Sequence, residues 1–187
     1  EKECAQEIAA ACTGLSVSGT VRSKSAAGFV EFVLHDPAAA AGLRTRLRFE
    51  HLIFARQLVY ATPWIRDLPV TDRVGALLPA IAAFGTQFSA LWLETADTND
   101  AKELGAFCRK FTAPLTFGLN KAALLQEGGE GLPRLHLFFA GSTTVCVGIS
   151  DPGNSSPWTI GVPRLRLPPH APSRSTQKLA EALYLWL

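Results

Sequence analysis

The sequence predicts an α+β chain built from two units in series. Three observations point that way. Segments with strand character alternate with segments of helical spacing, first as α-β-β-α-β and then as α-β-α-α-β-β. A proline-punctuated stretch from Pro63 to Val70 separates the two series. A composition of 48% hydrophobic and 18% charged residues, with mean hydropathy +0.16, is that of a chain that buries a core.

In the first series, Cys4, Ile8 and Cys12 recur every fourth residue over Glu1 to Cys12, and Gly14 ends that helix. Ser18 to Lys24 is a weak strand. Gly28 to His35, with Phe29, Val30, Phe32, Val33 and Leu34, is a stronger one. Asp36-Pro37 starts a helix through Ala41, with Asp as cap and Pro at the first helical position. Leu52 to Thr62 is rich in β-formers and reads as a strand. A ferredoxin-like unit runs β-α-β-β-α-β, so one further strand is expected before Glu1.

In the second series, Thr71 caps a helix to about Phe84, with Pro79 as a kink. Ala90 to Thr95 is an apolar strand. Asp97-Thr98-Asn99 opens a helix from Asp100 to about Phe111, and Pro114 to Leu125 makes another. Leu135 to Ala140 and Thr144 to Ile149 form a hairpin about a Gly141-Ser142 turn. Four prolines between Val162 and Pro172 predict a stiff, extended linker. Ser173 caps a final helix, Thr176 to Leu187. The expected organisation is 1–68, 69–162, and a basic linker with one helix at 163–187.

No apolar run approaches the roughly 18 residues that span a bilayer, and no basic segment followed by an apolar one opens the chain. Cys4, Cys12, Cys108 and Cys146 form no C-x-x-C and predict reduced thiols rather than a zinc site. There is no methionine, so the natural start is expected upstream. No nucleophile elbow, P-loop or strand-linked G-x-G-x-x-G occurs. The glycine-rich Glu127–Gly131 is acidic, which is wrong for a phosphate cradle. His136 lies in an apolar strand and is expected to be structural.

Binding residues are easier to nominate. Net charge is only +2, but Arg164, Arg166, Arg174 and Lys178 occupy a stretch without an acid from Gly161 to Ala180. Arg44, Arg46 and Arg48 form a second cluster, and Lys102, Arg109 and Lys110 a third. At about 100° per residue, Lys102 and Arg109 share a helix face and Lys110 is offset. Thr98 and Asn99 offer polar contacts beside them, and Asn154 and Trp158 lie in a polar loop suited to sugar, phosphate or an unstacked base. Each of these equally suits a cap, a solvated helix face or a structural turn.

Leu52–Gln57, Ala96–Asn99, Lys102–Leu104, Phe107–Phe111, Gly161–Leu165 and Ala171–Thr176, in this order and spacing, resemble the bacterial 23S ribosomal RNA cytidine 2′-O-methyltransferase family. The resemblance covers essentially the whole chain. It implies a ferredoxin-like domain, a THUMP domain that binds RNA, and a Rossmann-type domain that binds S-adenosylmethionine, of which only the first helix is present here. It adds Arg56 to the RNA-binding set. Of the family's Lys-Asp-Lys-Glu catalytic set it places only the first lysine, at Lys178, in Ser173–Leu179. Where the family tends to Leu-Glu-Glu-Ala, this chain has Leu179-Ala180-Glu181-Ala182.

The implied partner is 23S ribosomal RNA, in the cytoplasm, with the protein a monomer away from membranes. The implied chemistry is methyl transfer to a ribose hydroxyl whose proton a lysine accepts or steers. These residues alone are expected to be inactive and to supply no cofactor contact. The alternative is a ferredoxin-like protein-interaction or regulatory module without RNA binding, since a fold does not fix a function.

Overall fold

The computed structural model describes residues 1–25, 27–98, 101–163, 165 and 174–186. The elements are α1 (Lys2–Gly14), β1 (Gly19–Ser23), β2 (Val30–Leu34), α2 (Ala39–Arg46), β3 (Tyr60–Ala61), α3 (Arg73–Ala82), β4 (Ala90–Thr95), α4 (Lys102–Lys121), β5 (Arg134–Gly141), β6 (Thr144–Ser150) and α5 (Arg174–Trp186). The class is α+β, as the alternation of periods requires.

β1 and β2 pair antiparallel into a two-stranded sheet. The other sheet runs β3-β6-β5-β4, with β4 parallel to β5 and the rest antiparallel. The period of two along β5 and β6 decides which side chains meet. Leu135, Leu137 and Phe139, with Val145, Val147 and Ile149, face one way into a core shared with Leu77 and Ile81 of α3. α4 adds Cys108, Phe111, Leu115 and Leu119, a stripe at helical spacing. A second, smaller core forms from Cys12, Val17, Leu43 and Leu47.

The strand expected over 52–62 shrinks to two residues, and those pair with β6 rather than with the β1–β2 sheet. Residues 52–59 are held by side chains instead. Glu7 accepts from the backbone N–H groups of Ile53 (2.5 Å) and Phe54 (3.1 Å). The Gln57 side chain donates to the carbonyls of Ser156 and Trp158 and accepts from the Ser156 N–H. These donors are satisfied without a ladder, so propensity alone does not produce a strand.

The two helices expected at 100–111 and 114–125 are one helix, α4. Pro114 lacks an N–H and its ring crowds the carbonyl four residues back, but it lies on the exposed face of the helix, away from the buried stripe. The buried stripe continues in register across the proline and outweighs its cost. α2 begins later and runs longer than expected. Asp36 caps the preceding turn by accepting from the Ala38 N–H, and Leu43 and Leu47 anchor the last turn in the small core. The cap of α3 is Asp72, which accepts from the Gly75 N–H at 2.8 Å, rather than Thr71. The hairpin closes through Ser142 and Thr143 between paired Gly141 and Thr144. α5 starts at Arg174. The linker expected from the prolines falls mostly outside the described residues.

The far face of the four-stranded sheet is covered by the N-terminal unit. Phe29, Trp64 and Phe138 form an aromatic cluster there with centroid separations of 5.2 to 6.2 Å, and the Trp64 indole donates to Glu31 at 2.8 Å. Arg44 of α2 grips both carboxylate oxygens of Asp151, with 2.6 Å for its Nε contact. Asn154 donates to the Leu47 carbonyl and accepts from the Phe49 N–H, both at 2.8 Å. Asn154→Ala leaves both backbone groups without that partner at a half-buried junction. Urea unfolding is expected to show a loss of about 1–3 kcal/mol, and an unchanged midpoint would mean that the junction does not depend on the amide.

Candidate nucleic-acid interface

The loop after β6 is organised by buried polar groups. Arg134 donates to the Ser155 hydroxyl and the Ser156 carbonyl and lies over the Trp92 ring at 4.8 Å. Burial lowers its pKa, but the guanidinium stays charged because its ordinary value is so high. Below it, His136 bridges Glu94 (2.7 Å) and the Ser150 hydroxyl (2.8 Å). The second Glu94 oxygen accepts from the Ile160 N–H at 2.5 Å. An acid, a histidine and a serine in line have the order of a hydrolytic relay. Here Ser150 is 0% and His136 1% exposed, so no substrate reaches the hydroxyl. The chain of bonds instead ties three strands and the 159–161 turn together.

That turn brings distant sequence segments to one place, the carboxyl end of β4. Ile160 and Gly161 both adopt positive φ, +51° and +69°. Gly161 presses so closely on the backbone of Arg56 that a Cβ there would lie 1.8 Å from the Arg56 carbonyl oxygen. The Arg56 guanidinium reaches Asp97 at 3.6 Å. The turn that holds Asp97 then feeds into Lys102 and α4. The 52–57, 96–98 and 161–163 segments therefore meet around one end of the sheet, with Arg56 exposed above them.

The nominated residues divide into groups. Arg56, Lys102, Arg109 and Lys110 are exposed, and Arg109 lies back along α4 near Gly105. No ion pair is formed by Lys102, Arg109 or Lys110 among the described residues. Asn154 is engaged in the junction, which leaves it little to offer a ligand. Trp158 is half-buried, with its ring 6.0 Å from that of Tyr184 on α5. Lys178 is exposed on α5, on the same helix as exposed Leu179 and Leu183. Asn99, Arg164 and Arg166, and the side chain of Arg174, lie outside the described residues. In the second basic cluster, Arg44 is committed to Asp151 and Arg48 pairs with Glu50 at 3.2 Å. Sequence reasoning missed Arg134, Glu94 and Ser150. The only signal for them was a charged or polar residue at an alternate strand position, which solvent exposure explains equally well.

Cys12 and Cys108 are buried and Cys4 and Cys146 half-buried, all as free thiols. Burial pushes Cys108 and Cys146 up to about 11, which makes them poor nucleophiles at neutral pH. No helix among the described residues is long and apolar enough to cross a membrane.

Two family models match the chain. Residues 1–59 match an RlmM ferredoxin-like domain, and residues 72–151 match "Ribosomal RNA large subunit methyltransferase M, N-terminal". Relatives named ribosomal RNA large subunit methyltransferase M include one from Methylococcus capsulatus, 49% identical over 187 residues, covering 100% of this chain and 52% of its own length. One from Pseudomonas paraeruginosa is 45% identical over 187 residues, with the same coverage. Another, from Aromatoleum aromaticum, is 42% identical over 190 residues, covering 100% of this chain and 51% of the relative.

Proposed function

The chain belongs to the ribosomal RNA large subunit methyltransferase M family, and on that premise we propose that residues 1–187 recognise and position 23S ribosomal RNA for S-adenosylmethionine-dependent methylation of a ribose 2′-hydroxyl. The chain spans about half the length of the curated relatives it matches. In this reading 1–68 is a ferredoxin-like domain, 69–162 a THUMP domain that binds RNA, and 163–187 a basic linker with the first helix of a catalytic domain. The protein works in the cytoplasm as a monomer.

The observation that carries the reading is the meeting of the 52–57, 96–98 and 161–163 segments at the carboxyl end of β4. Exposed Arg56 sits at this point, and exposed cations continue along α4. Arginine and lysine on a rigid frame position a phosphate backbone without reading its sequence. From here the chain passes towards Lys178, the residue proposed to accept or steer the proton of the ribose hydroxyl.

S-adenosylmethionine, when bound, supplies the methyl group. Among the described residues, the one glycine-rich loop does not fit that cofactor. The glycine-rich 128–131 loop carries Glu130, follows Glu127 and leads into a strand instead of opening a helix. The cofactor's contacts are therefore assigned to the part of the relatives' length beyond this span, and methyl transfer by residues 1–187 alone is not expected.

The test is titration of the chain with an unmodified 23S transcript at two salt concentrations. Tight binding at low salt, falling steeply as salt rises, is expected. Lys102→Ala/Arg109→Ala/Lys110→Ala is expected to weaken binding and to reduce the salt slope by about 0.7–0.9 for each phosphate that is no longer neutralised. Affinity that ignores salt would remove the basic surface from the mechanism.

A further inference from the structure

We infer that Phe54, on the short loop between Leu52 and Leu58, is a base-stacking platform for single-stranded RNA. The inference rests on the reading of the chain as an RNA-recognition half. Ile53 is 84% and Phe54 55% exposed, side by side; the other exposed large apolar residues among those described are Val70 and Phe117, apart from each other, and Leu179, Leu183 and Tyr184 on α5. Exposure of this kind usually marks a mobile loop, yet this one is held at both ends. The Glu7 carboxylate takes the N–H groups of both residues. Leu52 packs on the small core, and the Arg56 backbone is pressed against Gly161. The side chains are thus presented outward by a fixed backbone, which lowers the ordering cost of binding.

The surroundings select the occupant. Of the four arginines from Arg44 to Arg56, Arg44 is committed to Asp151 and Arg48 pairs with Glu50, which leaves Arg46 and Arg56, both exposed, to meet a phosphate. The exposed Arg56–Asp97 pair at 3.6 Å is weak and yields readily to a phosphate. Two apolar side chains cannot supply the roughly 1,000 Å² that a stable protein interface buries. They do match the size of one or two unstacked bases, for which an aromatic face beside a guanidinium is the usual receptor. In duplex RNA the bases are already stacked on each other, so the platform discriminates single strands.

Phe54→Ala, Phe54→Leu and Phe54→Trp would be titrated with the unmodified 23S transcript and with a fully paired RNA duplex, after circular dichroism confirms that each variant is folded. Ala and Leu are expected to weaken transcript binding roughly tenfold at unchanged salt slope, with Trp within about twofold of the parent. Duplex affinity should stay constant across the series. Wild-type affinity in Phe54→Ala, or an equal loss on the duplex, overturns the platform while leaving the recognition reading intact. Retention by Leu with loss by Ala also overturns it, because an apolar docking patch needs no π-face. A parent chain that does not bind the transcript at all overturns both.

Discussion

Replacing His136 with alanine is expected to cost about 3–5 kcal/mol of folding stability, because one partner is removed from a buried polar chain and the others remain. Glu94 is 6% exposed and Ser150 0%, so neither can turn to water for the lost bonds at 2.7 and 2.8 Å. The imidazole also packs edge-on to Trp92 with 5.1 Å between centroids, and its deletion opens a cavity under that ring. Glu94→Gln should cost less, since an amide oxygen can still accept from the Ile160 N–H. Equilibrium unfolding in urea separates these cases. A loss under about 1 kcal/mol for His136→Ala would show that the triad contributes little beyond filling space.

Gly161→Ala is expected to dislodge the 158–163 segment. At φ +69° any residue with a Cβ pays roughly 1–2 kcal/mol for its left-handed backbone alone. The larger effect is steric: the added carbon would stand 1.8 Å from the Arg56 carbonyl oxygen and 2.3 Å from its carbonyl carbon. Both obstacles are backbone, so no rotamer change relieves the overlap. The segment must move away, and the Glu94–Ile160 bond goes with it. Hydrogen exchange should rise sharply over 158–163 and at Arg56, with a total loss of at least about 3 kcal/mol. Gly14→Ala, where a Cβ meets open space, serves as the tolerated control. Unchanged exchange in Gly161→Ala would show that the crossing has room that the geometry denies.

Both predictions concern residues whose importance was only partly visible beforehand. Gly161 stood in a segment that carried the family resemblance, yet the resemblance offered no reason for a glycine. The reason is a close approach to a backbone more than a hundred positions earlier. His136 read as a structural histidine because of its apolar strand. Its partners, 42 and 14 residues away, follow from the parallel β4–β5 and antiparallel β5–β6 registers. Asn154 looked as suited to RNA as Asn99 did, because an amide in a polar loop has the same local appearance whether it faces solvent or a neighbouring unit.

What the sequence determined by itself was set by short-range periodicity. The recurrence of Cys4, Ile8 and Cys12 every fourth residue marks a helix, and the β-forming runs 135–140 and 144–149 about Gly141-Ser142 mark a hairpin. Alternating with the other segments of strand and helix character, they indicate the α+β class. The order of the motifs was enough to indicate the family. Only the tertiary structure decided which sheet Tyr60 and Ala61 join, that α4 runs unbroken through Pro114, and that Arg44 is committed to Asp151. It also decided that three segments, spread over a hundred residues, meet at one end of β4. Local propensities are worth tenths of a kcal/mol per residue. Burial and polar pairing between distant segments are worth several kcal/mol, so wherever the two conflict the long-range partners prevail.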